Sequence, residues 1–146
     1  MAASLFSGGR LSTTALSLPF SPVRRTAPPL SSALHRACLA ARIAADNKAR
    51  DVLVLDMRPC TPLFDFFVIA TGTSRRQIHT LAEEIDAGLV AEGDERMGIE
   101  GYEASKWVVQ DYGDVVMHVF DPDTRDYYKL EELWADAPRI DWENED

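Results

Sequence analysis

Three segments of the chain repeat their hydrophobic residues at the spacing of an α-helix. They cover residues 31–48, 73–92 and 122–134. Serine or threonine stands at the start of the first two, where its side chain can cap the free N–H groups of the first turn. Gly93 follows the second segment and Pro122 begins the third, as is typical of helix ends and helix starts. The pattern therefore predicts three helices.

Four other segments have the composition of β-strands. Residues 51–58 (DVLVLDMR) and 66–72 (FFVIATG) are almost continuously apolar, which is typical of strands buried on both faces. Residues 107–111 and 114–120 instead alternate in polarity on either side of Tyr112-Gly113, which predicts a β-hairpin. The order α-β-β-α-β-β-α indicates a single α/β (α+β) domain with a mixed sheet.

The hairpin prediction also specifies which side chains lie opposite each other. With Tyr112-Gly113 as a two-residue loop, Asp111 lies opposite Asp114 and Trp107 lies opposite His118. One face of the hairpin then carries the Trp–His pair, and the other face carries an aliphatic row. Because only one face is needed for a core, we expect the Trp–His face to bind a partner.

Charge is distributed unevenly along the 146 residues. The whole chain carries -9, and residues 1–45 contain five arginines and no acid, which leaves -14 on the other 101 residues. A domain of that sign is repelled by a phosphate backbone and attracted to a basic protein. We therefore expect a basic protein partner and no direct binding of nucleic acid. No apolar run reaches the ~18 residues of a membrane span, so no membrane contact is expected.

The two ends of the chain differ from its centre. Residues 1–30 are rich in Ser, Ala and Pro, carry arginine and contain no acid, so they form either a disordered extension or an organelle transit peptide. Residues 136–146 are expected to form an irregular acidic tail, leaving 31–135 as the folded domain. Cys38 and Cys60 lack the spacing of a metal site or a disulfide framework and are expected to be reduced thiols.

Motifs that would indicate catalysis are weak. The sequence TGTS at 71–74 resembles a phosphate-binding turn, but it lacks the rest of either glycine-rich nucleotide motif, so a helix cap is favoured. Nucleotidyl transfer needs paired carboxylates for Mg²⁺, whereas Asp114 is followed by Val116 where a second acid is required. His118 has no nucleophile or acid beside it. We expect no enzyme activity, cofactor or metal; a nucleotide-handling enzyme is the alternative.

Several segments together resemble one protein family. DFFVIATGTSRRQI, GIEGYEASKWVVQDYGDVVMHVFDPDTRDYYKLEELW and the strand DVLVLD are similar to the ribosomal silencing factor family, also called RsfS or Iojap. The resemblance covers residues 33–135. It implies a nucleotidyltransferase-like fold without catalytic carboxylates and a protein that binds the fourteenth protein of the large ribosomal subunit. That binding blocks association with the small subunit, which represses translation, assists large-subunit biogenesis, or both.

The resemblance also implies where the partner binds. By position within the motifs, it places the partner-facing surface at Trp107, Val109, His118, Tyr128, Leu130, Glu131 and Trp134. It gives Asp111 and Asp114 a role in the turn, and Asp65 and Ser74 a structural role at a strand–helix corner. A homodimer formed through the same hairpin is compatible with this surface.

The resemblance is closer to bacterial than to plant organellar members. The bacterial cytoplasm is therefore the favoured location, and a chloroplast or mitochondrion is the alternative if residues 1–30 are a transit peptide. The long N-terminal segment and the extended C-terminal tail have no counterpart in typical bacterial members, so the resemblance assigns neither a role.

Overall fold

A computed structural model describes residues 30–145. The predicted N-terminal extension therefore lies outside the described residues, apart from residue 30. The elements in chain order are α1 (Ala33–Asp46), β1 (Arg50–Asp56), β2 (Phe66–Thr71), α2 (Arg75–Ala91), β3 (Gly98–Glu100), β4 (Trp107–Asp111), β5 (Val115–Phe120), α3 (Pro122–Tyr128) and α4 (Leu130–Leu133). The first two helices and the four predicted strands are confirmed, whereas β3 lies in a segment that was expected to be a loop.

The strands form one five-stranded sheet in the order β1-β2-β5-β4-β3. β2 and β5 are parallel, and the other neighbouring strands are antiparallel. This topology confirms the prediction of a single α+β domain with a mixed sheet. Every residue of β2 and β5 is buried, which explains the continuous apolar sequence of β2.

Helices α1 and α2 cover one face of the sheet and form the larger core. The side chain of Ser32 accepts a hydrogen bond from the His35 N–H, and Ser74 accepts one from the Gln77 N–H, so both predicted caps are present. The small side chains of α1 let its backbone approach the sheet closely; those that are fully buried are Ala37, Ala40, Ala41 and Ala44.

The opposite face of the sheet carries a second, smaller core. It lies beneath α3, α4 and the chain that follows them, and it includes Leu55, Ile69, Phe120 and Leu130. Phe120 shares its face with Trp107 and is completely buried. The expectation that only one face of the hairpin serves a core is therefore wrong, because alternate side chains of the central strands must be covered on both sides.

The predicted helix over 122–134 is divided in two by Lys129. This residue has φ 45° and ψ 55°, a left-handed conformation that cannot continue an α-helix. The break lets α4 turn its first residue, Leu130, into the second core, while Tyr127 and Tyr128 at the end of α3 stay exposed.

The segment after α4 packs against the domain and is not a separate tail. The Ile140 N–H donates to the Val54 carbonyl at 2.9 Å, and the Trp142 indole N–H donates to the Val52 carbonyl at 3.2 Å. These bonds cover the free edge of β1, which would otherwise expose unpaired backbone groups. The backbone of this segment is largely irregular, as expected. Residues on both sides of the boundary predicted at residue 135 nevertheless pack in the same domain.

The register of the β4–β5 hairpin differs from the prediction by two residues. Trp107 lies opposite Phe120, and Val109 lies opposite His118. Side chains alternate between the two faces of a strand, so a shift of two residues leaves each on its predicted face. Trp107 and His118 therefore still share one face, as diagonal neighbours rather than a directly opposed pair.

The turn chemistry explains this register. The Tyr112 N–H donates to the Val115 carbonyl at 2.9 Å, which makes residues 113–114 the two-residue loop. Gly113 has φ 90°, a conformation that favours glycine, and its N–H donates to the Asp111 carboxylate at 2.8 Å. The predicted register would have opposed Asp111 to Asp114, and like charges directly across a strand pair are destabilising.

A buried arginine links α1 to the hairpin. The guanidinium of Arg36 is 1% exposed and donates to both carboxylate oxygens of Asp114, at 3.0 and 2.6 Å, and to Asp94 at 2.5 Å. Burial raises the pKa of Asp94 even with this cation beside it. Asp114 therefore serves the turn by anchoring it to Arg36, which fixes the hairpin against the first helix.

Replacing Arg36 with Met should destabilise the domain strongly. The substitution leaves Asp94 and Asp114 without their cation, and breaking a buried ion pair costs about 3–5 kcal/mol. Urea denaturation followed by circular dichroism would measure the free energy of unfolding. The control is Arg58→Met, since the Arg58 side chain is 57% exposed in its pair with Asp56 and should matter much less. Equal losses in the two variants would contradict the role given to Arg36.

Candidate partner-binding site

An apolar cavity of about 420 Å³ opens on the sheet face that carries the smaller core. It lies where α3 and α4 end and no longer cover the strands. Its walls are formed by Phe64, Phe67, Glu100, Gly101, Trp107, Val109, Asp111, Val116 and His118. Three of the seven residues predicted to face a partner, Trp107, Val109 and His118, are brought together here.

Trp107 forms one wall of the cavity and is half-buried. Its ring stacks on Phe120 with 4.8 Å between ring centroids, and it lies 5.0 Å from the ring of Tyr128. Tyr128 is 53% exposed, so it extends the aromatic surface outward from the cavity. The Trp107 ring thus contributes both to packing and to an open surface.

His118 is 5% exposed and lies at the base of this wall. Its Nδ1 is 3.0 Å from the indole Nε1 of Trp107. Because the indole N–H can only donate, Nδ1 must be the acceptor, so the neutral imidazole carries its proton on Nε2. Burial lowers the pKa of His118 to about 3, which keeps the ring neutral. Within residues 30–145, Nε2 has no hydrogen-bond partner.

Two acids stand among the otherwise apolar walls. Glu100 is exposed at the end of β3, and Asp111 is buried at the end of β4 with its carboxylate accepting from the Gly113 N–H. Gly101 is required beside Glu100, because it has φ 81° and a Cβ there would lie 2.0 Å from the Trp107 carbonyl oxygen. The cavity therefore combines an apolar interior, one buried N–H donor and two acidic groups.

The remaining predicted residues have structural contacts. Leu130 is 7% exposed and packs in the second core, so its side chain is not accessible to a partner in this structure. The Glu131 carboxylate already accepts from Arg125 Nε at 3.2 Å. Trp134 is half-buried, with its ring edge-on to Phe67 at 6.2 Å. None of these three residues lines the cavity; Glu131 and Trp134 are half-buried, so a role for them in partner binding stays a prediction.

Sequence reasoning missed Phe64, Phe67 and Glu100 as residues of the cavity, whereas Asp111 was expected at the hairpin turn. Phe67 follows Phe66 in a strand of continuous apolar character, and such a strand gives no signal of which side chains face which core. Glu100 was assigned to a loop. The pairing of β3 with β4, which places it beside the cavity, is a contact that local pattern does not reveal.

The TGTS corner does not have the geometry of a phosphate site. The Thr73 N–H donates to the Gln77 side-chain oxygen at 2.7 Å, and the Ser74 hydroxyl accepts from the Gln77 N–H at 3.1 Å. These groups cap α2, so the N–H and hydroxyl that a phosphate would need already have partners within the helix. The adjacent pocket is lined by two acids and two bases, Asp121, Asp123, Arg75 and Lys106, and therefore carries no net positive charge to attract an anion. Among residues 30–145, no group of three His, Cys, Asp or Glu side chains is placed to hold a metal ion. None of the helices in that range is both long and apolar enough to cross a bilayer.

His118 should make the stability of the domain depend on pH. Its pKa is about 3 when folded against 6.5 when exposed, so the unfolded chain binds more protons between these values. The free energy of unfolding should therefore fall as pH decreases below about 6.5, by up to ~1.4 kcal/mol per pH unit from this residue.

Urea denaturation at several pH values between about 7 and about 4.5 would measure this slope. His118→Asn removes the titrating ring, so the slope of that variant should be smaller by the same amount. An identical slope in both proteins would show that His118 is not the group responsible.

Comparisons with known proteins give a consistent result. The sequence model of the family described as "Ribosomal silencing factor during starvation" matches residues 31–146. A "Ribosomal silencing factor RsfS" from Halalkalibacterium halodurans is 43% identical over 105 residues, which is 72% of this chain and 90% of that protein. "Mitochondrial assembly of ribosomal large subunit protein 1" from Mus musculus is 37% identical over 92 residues, 61% of this chain and 40% of that protein. A crystal structure of a Chromobacterium violaceum protein has a TM-score of 0.69 at 39% identity, over 72% of this chain and 88% of that one.

Proposed function

This chain belongs to the ribosomal silencing factor family, and from that premise we propose that it binds the fourteenth protein of the large ribosomal subunit. Bound there, it blocks association with the small subunit, which represses translation, assists large-subunit biogenesis, or both. The name of the mouse relative, which refers to assembly of the large subunit, supports the second role. Steric blocking of this kind requires binding and no catalysis.

The observation that carries this proposal is the aromatic cavity around Trp107. We call the cavity together with the exposed ring of Tyr128 the Trp107 face. Large aromatic side chains beside a pocket are the residues that most often dominate the energy of a protein interface. Apolar surfaces of this kind are seldom left exposed on small soluble domains, and where they occur they usually mark a site of protein–protein contact.

Charge supports a ribosomal protein as that partner. The net charge of -14 on residues 46–146 attracts basic proteins, and proteins that bind ribosomal RNA are basic as a class. Glu100 and Asp111 place two of these acids beside the apolar cavity. Complementary charge of this kind directs the approach of the partner and fixes its orientation, while the apolar contact holds it.

The compartment stays a prediction. We propose the bacterial cytoplasm, with a chloroplast or mitochondrion as the alternative in which residues 1–30 act as a transit peptide. A fusion of residues 1–45 to a fluorescent protein, expressed in a plant or algal cell, distinguishes them. Diffuse cytosolic fluorescence is the expected result, and accumulation in an organelle would contradict it.

Trp107→Ala should abolish binding to the large subunit. Loss of a central interface aromatic costs at least ~2 kcal/mol of binding free energy, which is about thirtyfold in Kd. Co-sedimentation with purified large subunits measures binding, and the extent of subunit joining measures function. Thermal melts should show a less stable but folded domain, because the ring is only half-buried.

The control for this variant is Tyr102→Ala. Tyr102 stacks on His79 of α2, on the helix-covered side of the sheet, with 4.0 Å between ring centroids. Its loss removes an aromatic contact without altering the Trp107 face. A folded Trp107→Ala protein that sediments with the large subunit as well as the control does would refute the proposed interface.

A further inference from the structure

The strongest unexplained feature of the described residues is the proton on His118 Nε2. A buried N–H without a hydrogen-bond partner costs about 1–3 kcal/mol of desolvation, so such groups are rare in folded proteins. Here the proton is held in place, because Trp107 occupies Nδ1 and leaves Nε2 as the donor. The domain therefore carries a donor of fixed position, with no internal acceptor among residues 30–145.

The surroundings of the donor define what it can bind. A trapped water needs two to four polar partners, whereas the neighbouring walls are the side chains of Phe67, Val109 and Val116. An anion would be repelled by Glu100 and Asp111, and a cation cannot accept a hydrogen bond. Once water, anions and cations are excluded, the ligand that fits is a neutral oxygen acceptor attached to an apolar group. A positive charge next to that group would face Glu100 and Asp111.

We propose that His118 Nε2–H donates to a backbone carbonyl of the ribosomal partner, on a segment whose apolar side chain fills the cavity. A Lys or Arg next to that carbonyl meets Glu100 and Asp111. This inference rests on the proposed function and specifies its chemistry: a short, extended or looped partner segment with an apolar residue beside a basic one. His118 is thus a specificity residue of the binding site.

The arrangement favours discrimination between partners. A segment without a correctly placed carbonyl would exclude water from the cavity and still leave the Nε2–H donor unpaired, so it would bind more weakly. Nε2 is fully covered in the free domain, so the apolar side chain of the segment must first push the cavity walls apart; the carbonyl then satisfies a donor that is already oriented. The Trp107–His118 hydrogen bond holds the imidazole in the required tautomer before binding.

Two substitutions separate the donor from the bulk of the ring. In His118→Asn the short amide can still accept from Trp107, but nothing reaches the Nε2 position. In His118→Gln the longer side chain brings an amide N–H to about that position. Binding to the recombinant fourteenth protein of the large subunit, measured by calorimetry, should be at least about tenfold weaker for His118→Asn than for His118→Gln.

A measurement on the unaltered full chain covers the case in which a variant does not fold. With ¹⁵N-labelled histidine, the Nε2–H resonance of His118 should shift downfield when the partner is added, as a new hydrogen bond requires. Binding with an unmoved resonance, or equal affinities of folded Asn and Gln variants, overturns this inference alone. No binding by the unaltered chain overturns the proposed function, and this inference with it.

Discussion

Strands β2 and β5 lie side by side at the centre of the sheet, so both of their faces must be covered by other parts of the chain. On one face two long helices provide the cover. On the other, only α3, α4 and the irregular segment after them are available, and these are too short to reach across the sheet. The Trp107 face is the part of the second surface that they leave open. The proposed binding site is thus a consequence of incomplete coverage of a sheet that needs two cores.

The position of the hairpin depends on one buried cation. Arg36 reaches from α1 to Asp114 at the hairpin turn and to Asp94 in the loop after α2, so three segments distant in sequence share one ion-pair network. A buried pair adds little net stability over apolar packing, but removing one partner is costly because a charge stays buried alone. We infer that the network fixes the geometry of the hairpin, and with it the position of Trp107.

Each face of the hairpin buries a polar side chain with one atom that has no partner among the described residues. On the helix-covered side, the Gln110 amide N–H donates to the Ala82 carbonyl, and its Oε1 stays unpaired beneath the helices, where no partner protein can reach it. On the open face, the His118 ring is held by Trp107 at one nitrogen and has no acceptor among the described residues at the other. Such a group lowers the stability of the free domain, and a partner that supplies the acceptor recovers that loss on binding. If His118 binds the partner as proposed, local stability and partner recognition are opposed at this residue.

The sequence by itself determined the features that depend on neighbours along the chain. Ser32 and Ser74 cap their helices through bonds to residues three positions away. The period of two in the hairpin assigned Trp107 and His118 to one face, and this assignment survives the observed shift because the register moved by two residues. The tertiary structure decided what depends on distant contacts. It broke the last helix at Lys129 so that Leu130 enters the second core, paired the C-terminal segment with β1, and joined Asp114 at the hairpin turn to Arg36 of α1. Each of these outcomes is settled by burial and ion pairing between segments far apart in the chain, which local periodicity does not encode.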